Sequence, residues 1–374
     1  METSRLNVAI IGAGIAGLTC AITLSRYAGV HVTILERAPS LVAAGNGIQV
    51  PCNACHVLRS LGLLDKLIAK SKGVALGSLS LDYENGQVLL NRDFTRYEEI
   101  YGAPWLFVHR ADYIDVLLEE ADRLGIQIRL GCEVKEMNIG APWVTLSNDE
   151  IVTADVIIGC DDHELNHRCQ SGNMLELVRE HLAGWNPVVR GLLHAVQGLT
   201  SFPLFSVEDL PSFASARVAL MGDAAHPTVP YLGQGAAMAV EDALVLGTLL
   251  GNLTRFSSSL SSGSLKARIP TILRIYDAIQ RPRTTTIVAQ SRHHGHFNHL
   301  ARGPEQRARD AEFAAFDTET TVSECPWVDS AFNREMLGRD AEAITSVEFG
   351  RLVAEGLFDQ WEIGDGDVIF GARL

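Results

Sequence analysis

The feature that most constrains this chain lies near its start, where the apolar run Leu6-Asn-Val-Ala-Ile-Ile11 passes into Gly12-Ala-Gly14-Ile-Ala-Gly17. A short Val/Ile-rich run predicts a buried parallel strand. The small residues that follow predict a helix over Ala16 to Ser25. In a G-x-G-x-x-G placed between two such elements, Gly12 permits the tight turn and Gly14 lets the backbone approach a pyrophosphate. Gly17 lets the helix pack close to the strand. The helix N-terminus then offers unpaired N–H groups and the positive end of its dipole to phosphates. A second strand, Val30 to Leu35, ends in Glu36, 19 residues past Gly17, where such folds hydrogen-bond a ribose. An acid there suits an adenosine with a free 2′-hydroxyl, as in FAD or NAD, better than NADP.

Composition narrows the partners. The chain has 374 residues, enough for two or three domains or one large α/β unit with an insertion. Its net charge of −14 argues against nucleic acid or an anionic membrane as partner. The N-terminal apolar run is only strand length and interrupted by glycine, so it does not read as a signal peptide. The apolar run over Ala236–Leu250 carries Glu241 and Asp242 and does not read as a membrane span. Seven scattered cysteines point to a reducing, cytoplasmic setting.

Further along, Gly45–Asn53 reads as a loop and Ala54–Leu61 as a helix. Cys52 and Cys55 have redox-pair spacing, but without a thioredoxin-like context packing is the favoured reading. Leu76–Tyr83 and Gln87–Leu90 flank Glu84-Asn85-Gly86 and predict a hairpin that opens a second, antiparallel sheet. Trp105–Arg110 leads into an amphipathic helix over Ala111–Gly125. Arg110 could hold a cofactor phosphate or pair with Asp112, and spacing leaves the two open. Strands are expected over Ile126–Leu130, Cys132–Met137, Trp143–Leu146 and Ile151–Thr153. Asp155–Asp161 should return the chain to the parallel sheet.

A Val/Leu strand then delivers Gly222-Asp223, and the Gly-rich loop through Gly233 and Gly235-Ala236 opens another helix. An aspartate at that point can accept from a ribityl or ribose hydroxyl, and the Gly235–Ala236 N–H groups can face electron-rich oxygens. Two patterns read as decoys. His163-Glu-Leu-Asn-His167 matches the zincin motif but follows a strand directly and lacks the longer spacing. His293, His294, His296 and His299 are expected on the solvated face of a polar helix rather than at a metal.

Together the motifs resemble the FAD-dependent aromatic (group A) monooxygenases, the class of p-hydroxybenzoate and salicylate hydroxylases, with the nearest likeness to those of fungal secondary metabolism. The matching stretches are Gly12–Leu18, the Leu-Glu-Arg-Ala ending at Ala38, Gly45–Asn53, Val108–Tyr113 and Ala219–Ala243. Ile275–Arg283 and Gln290–Arg292 match as well. The resemblance covers nearly the whole chain. It implies an α/β fold: a Rossmann-type FAD-binding domain with a parallel sheet, an antiparallel substrate sheet and C-terminal helices. It implies that FAD meets Glu36, the loop at Gly47–Gln49, Arg110, Asp223 and the Gly235–Ala236 turn, with no metal. NAD(P)H would reduce the flavin transiently, and dioxygen would supply the oxygen placed on a small phenolic or polyketide-like aromatic substrate. A flavin oxidase or dehydrogenase, and a flavin-binding chain without turnover, are the alternative readings.

Segment by segment, this reading assigns residues 1–75, 108–168 and 217–300 to the FAD-binding unit and 76–107 to the substrate-sheet hairpin. It makes 169–216 a remnant of the substrate domain and 301–374 a helical or irregular C-terminal region. After Asp161 the chain departs from the family. Only 62 residues separate Asp161 from Asp223, and the helix expected from Met174 occupies much of that interval. Strands recur every ~8–12 residues, so a six-stranded substrate sheet alone needs ~50–70. Much of that sheet should therefore be absent, together with the segment where relatives carry their catalytic Arg and Tyr. No catalytic residue is assignable from the motifs that remain.

Overall fold

The computed structural model describes residues 5–41, 47–161, 174–199, 204, 209–256 and 262–354. The zincin-like stretch His163–His167 and Cys169 lie outside them. From the N-terminus the chain runs through β1 (Leu6–Ile11), α1 (Ile15–Ser25), β2 (Val30–Leu35), β3 (Gly47–Val50), α2 (Cys52–Ser60) and α3 (Leu64–Ser71). A hairpin follows, β4 (Gly77–Leu81) and β5 (Val88–Asp93), then α4 (Tyr97–Tyr101), β6 (Leu106–His109) and α5 (Arg110–Arg123). Next come β7 (Gln127–Arg129), β8 (Val134–Asn138), β9 (Trp143–Leu146), β10 (Ile151–Thr153) and β11 (Val156–Gly159). The second half comprises α6 (Met174–His181), α7 (Pro187–Ala195), β12 (Ala214–Ser215), β13 (Val218–Leu220), α8 (Gly235–Phe256) and α9 (Ser262–Ala267). It closes with α10 (Ile269–Asn298), α11 (Pro304–Ala314), α12 (Ser330–Leu337) and α13 (Ala341–Ala354).

The main sheet has the order β12-β13-β11-β1-β2-β7, parallel except for β12. β1 lies at its middle because Leu6, Val8, Ala9 and Ile10 are all buried, as a strand covered on both faces requires. Asp155 fixes the register of β1 against β11 by accepting from the Asn7 backbone N–H at 2.9 Å. On one face α1 packs against α8. That contact explains why a 22-residue apolar helix stays inside the protein: its side chains are buried against α1, α2, α10 and α13. β8, β9 and β10 form a separate antiparallel sheet, and β3 pairs antiparallel with β6.

The expected hairpin forms, with Asp82 accepting from the backbone N–H groups of Glu84 and Asn85 to shape its turn. Among the described residues it remains a two-stranded sheet. Leu79, Leu81 and Val88 are exposed on one of its faces, while Leu90 and Arg92 are buried on the other. The link between α6 and α7 touches its tip: Tyr83 and Trp185 place their rings 5.3 Å apart, and the Asn186 N–H donates to the Tyr83 carbonyl. Neither helix buries a single residue.

The structure shifts several expected boundaries. α2 begins at Cys52 rather than Ala54, and α5 takes Arg110 as its first residue. The larger correction concerns the histidines of α10. His293, His296 and His299 are exposed, but His294 is buried, stacked 5.5 Å from Trp327, with its pKa pushed down to about 4 chiefly by burial. Apolar neighbours from a distant segment cover that face, which local polarity could not signal. No cluster of potential metal ligands occurs among the described residues.

Gly17 has no room for a side chain, because an added β-carbon would overlap the Gly12 carbonyl oxygen. Gly17→Ala is expected to destabilise the protein by about 3 kcal/mol through this overpacking. Urea denaturation of the two proteins measures the difference.

Candidate flavin site

The carboxyl ends of β1, β2, β11 and β13 converge at one edge of the main sheet, where an open α/β sheet binds ligands. At the end of β1, Gly12 adopts φ +102°, which favours glycine, and turns the chain into α1. Gly14 has open space where a β-carbon would stand. The first turn of α1 has no capping side chain and no acidic residue, so its N–H groups face that space without a protein acceptor of their own. Glu36, at the end of β2, accepts from the Ala13 and Ala38 backbone N–H groups, each at 2.8 Å. Those bonds fix the carboxylate beside the glycine turn and leave lone pairs for a hydroxyl.

The other half of the edge comes from β13. Gly222 has φ +61° and Asp223 follows in a short 3-10 turn, exposed toward the opening. Although one edge of the residue is exposed, the protein packed behind its carboxyl, helped by the charge of Asp242, raises its pKa against the opposing charges of His226 and Arg110. Gly235, at the start of α8, lies beside it: an added β-carbon would stand 4.0 Å from Asp223 Oδ1. α8 has no acid in its first turn. Gly233 has φ +64°, with the Gln49 side chain 3.2 Å from where its β-carbon would be. Gly47 and Gln49 lie on β3, opposite His109 and Phe107 of β6. Arg110 follows at the head of α5, exposed, and makes no ion pair or hydrogen bond with Asp112 or any other described residue. Pairwise contacts tie several of these residues together at the opening beyond the strand ends: Glu36 with the turn after Gly12, Asp223 with Gly235, Gln49 with Gly233 and, through charge, Arg110 with Asp223.

Beneath that opening lies a buried polar network that sequence motifs did not assign. Asp242 accepts from the Gly222 N–H at 2.9 Å, from Gln280 Nε2 at 2.7 Å, and contacts His226 Nε2 at 2.5 Å. Glu241 takes two hydrogen bonds from Arg283, at 2.7 and 2.8 Å, and one from Asn53 at 2.8 Å. Asn53 also donates to Gln234 at 3.0 Å. The available signal was the pair Glu241-Asp242 within an otherwise apolar helix, since buried acids require partners. Cys52 and Cys55, by contrast, are inert packing groups. Both are buried, and burial lifts the Cys52 thiol to about 12 despite the nearby Arg92 charge, and the Cys55 thiol well above its ordinary value.

A parallel sheet with a glycine turn after its first strand, an acid at the end of its second and a Gly-Asp turn opening a long helix defines a dinucleotide-binding flavoprotein fold. The profile of the FAD binding domain family matches residues 5–176 and 207–261. The chain belongs to that family and is an FAD-dependent monooxygenase of the aromatic-hydroxylase type. It is 26% identical to FAD-dependent monooxygenase OpS4 of Beauveria bassiana (strain ARSEF 2860), with 91% of this chain and 96% of that protein covered. It is 28% identical to the 3-amino-4-hydroxybenzoate 2-monooxygenase of Streptomyces cremeus, covering 86% and 95%. The crystal structure of FqzB superposes with a TM-score of 0.71 at 21% identity, over 99% of this chain and 96% of that one. The OpS4 alignment spans 422 positions while using 91% of 374 residues, so about 80 positions meet no residue here. The family match itself is interrupted over 177–206, across α6 and α7.

Burial alone would lower the His226 pKa, but the charge and hydrogen bond of Asp242, aided by Asp223, outweigh it and the net shift is upward. The folded state therefore holds this proton more tightly than the unfolded chain. The resulting stability is complete below the unfolded value near 6.5 and is lost as pH rises through the higher folded value. Denaturation midpoints are expected to fall over that window, and His226→Gln to flatten the slope.

Proposed function

We propose that this chain holds FAD across the opening described above and hydroxylates a phenolic or polyketide-like aromatic substrate with NAD(P)H and dioxygen, in secondary-metabolite biosynthesis. One observation supports this reading best: α1 and α8, neither with an acid in its first turn, come together at Gly222, where an added β-carbon would touch Ala16 and Ala239, and each helix start has an acid nearby, Glu36 or Asp223. The fit to FAD follows from the chemistry of each position. The open space at Gly14 and the uncapped start of α1 suit a pyrophosphate. Glu36 would accept from the adenosine ribose and Asp223 from the ribityl chain. Arg110, whose charge reaches Asp223 but which makes no ion pair among the described residues, would pair with a phosphate oxygen. Gly47, Gln49, Gly235 and Ala236 would line the ring end, where the α8 N–H groups face electron-rich oxygens.

The bound flavin would supply the redox chemistry, taking hydride from NAD(P)H and activating dioxygen. The protein's part is to hold that ring, admit the aromatic substrate beside it and exclude water. The relative from Streptomyces cremeus is named for an aminohydroxybenzoate, and a phenol-type substrate here rests on that likeness. The six thiols described are unbridged, which supports work in the cytoplasm.

Acid-released cofactor is expected to have the mass of FAD; FMN would refute the reading. Glu36→Ala and Asp223→Ala each remove a charge-assisted hydrogen bond worth about 1.5–3 kcal/mol. Each should weaken FAD binding accordingly, read as flavin retained after gel filtration. Unchanged occupancy in either variant would count against its assignment.

The exposed face of the β4–β5 hairpin bears on turnover. Activated oxygen survives only where water is kept out, and a two-stranded sheet with Leu79, Leu81 and Val88 exposed is a small roof. Reduced flavin should therefore return most of its electrons to dioxygen as hydrogen peroxide. NADPH consumption compared with oxygenated product, in this chain and in one given the family's missing segment, tests this. Tight coupling in the short chain would show that its own residues seal the site.

A further inference from the structure

Ten buried side-chain nitrogen and oxygen atoms have no hydrogen-bond partner among the described residues, and five of them sit in one aromatic cluster. They are Nε and Nη1 of Arg92, the hydroxyls of Tyr97 and Tyr101, and Nε1 of Trp105. Arg92 comes from the inner face of β5, the two tyrosines from α4, and Trp105 from just before β6. The Arg92 guanidinium lies 5.7 Å from the Tyr97 ring centroid. Tyr97 in turn stands 4.9 Å from Tyr101 and 6.2 Å from Trp105. Buried polar atoms are almost always paired, so five orphans in one place call for a bound water or ion.

Charge decides which. Of the Arg92 nitrogens, Nη2 alone has an acceptor, Asn333 Oδ1. Aromatic rings cover the flat faces of the guanidinium, but its N–H bonds lie in its plane, where a ring face is no acceptor. No carboxylate among the described residues pairs with it. Asp93 and Glu98 are exposed and engaged by Thr95 and Arg59. Four neighbours feel the Arg92 charge, and burial holds all four neutral. Burial raises the Cys52 thiol and the Tyr97 and Tyr101 hydroxyls against that charge, and lowers His294 with its help. The cluster therefore holds one permanent positive charge and nothing negative. Its orphans are also one-sided: guanidinium and indole N–H groups only donate, and the tyrosine hydroxyls can turn to donate. A water would leave the charge uncompensated and find few acceptors for its own protons.

We infer that this cluster encloses one small monovalent anion, chloride in size, held by Arg92 and Tyr97, with Tyr101 and Trp105 closing its shell. Arg92, Tyr97 and Trp105 are 0% exposed and Tyr101 3%. Walls so closed admit a single ion and shut out an aromatic acid, so the site is separate from the flavin and substrate sites and does not rest on their placement. The ion would complete the clamp between the hairpin, α4 and Asn333 of α12, and stabilise the folded protein by binding it alone.

Two measurements on the purified full chain test this. The thermal unfolding midpoint should rise by a few degrees with sodium chloride and level off, relative to sodium gluconate of equal ionic strength, whose anion is too large to enter. Bromide, a heavy ion that quenches indole emission on contact, should quench part of the tryptophan fluorescence saturably, and chloride should reverse it. Arg92→Met keeps the side chain's length without charge or donors and should abolish both effects. Tyr97→Phe keeps the ring and should raise the chloride concentration at half-effect several-fold. Bromide quenching that rises linearly and ignores chloride, with midpoints equal in the two salts, would overturn the inference and leave water as the guest. So would full anion dependence in folded Arg92→Met. If that variant does not fold, an unchanged chloride response in Tyr97→Phe would overturn the assignment.

Discussion

The adjacent acids Glu241 and Asp242 are the constraint on which the rest of the arrangement depends. Both are fully buried in α8, where isolated charges would cost several kcal/mol each. Their partners therefore have to come to them: Arg283 and Gln280 from α10, Asn53 from α2, His226 and the Gly222 N–H from the Gly-Asp turn. Arg339, just after α12, closes the network by donating to Gln280 Oε1 at 2.7 Å. Four segments far apart in sequence are thereby set against one turn of one helix. The position of Asp223 relative to Gly235 follows from that arrangement, since Asp242 fixes the turn immediately before it.

The glycine turn and the acids at the strand ends were legible because their chemistry is local. Gly12, Gly14, Gly17 and Glu36 lie within one βαβ unit, and backbone geometry dictates each residue type. The hairpin was legible for the same reason, as Asn85-Gly86 specifies its turn. The buried network was not, because its pairs span sequence separations such as the 188 residues between Asn53 and Glu241. His294 shows the complementary failure. Its neighbours on α10 are mostly polar, and Trp327 and Cys325, from a segment with no periodicity of its own, help convert that position into core.

Arg92 illustrates how far burial can depart from residue type. It lies on β5, fully buried, its guanidinium 4.1 Å from the Trp327 ring centroid and within 6.0 Å of Phe94, Tyr97 and Phe316. Its guanidinium also donates to Asn333 Oδ1 at 3.3 Å. Ring faces take the place of a carboxylate, a favourable exchange for a guanidinium because its charge is delocalised and weakly hydrated. The hairpin is thus clamped to the C-terminal region through its inner face, although its outer face is bare.

The packing of α1 against α8 also sets an order of events during synthesis. α1 is complete by Ser25, but α8, which packs against it, begins at Gly235, and β11 joins β1, with β13 beside β11, only after residue 155. A ribosome making this chain exposes the apolar face of α1 while some two hundred further residues emerge. Such long-range closure is slow and leaves apolar surface uncovered in the meantime. Until α8 docks, that face is covered only in part, by α5.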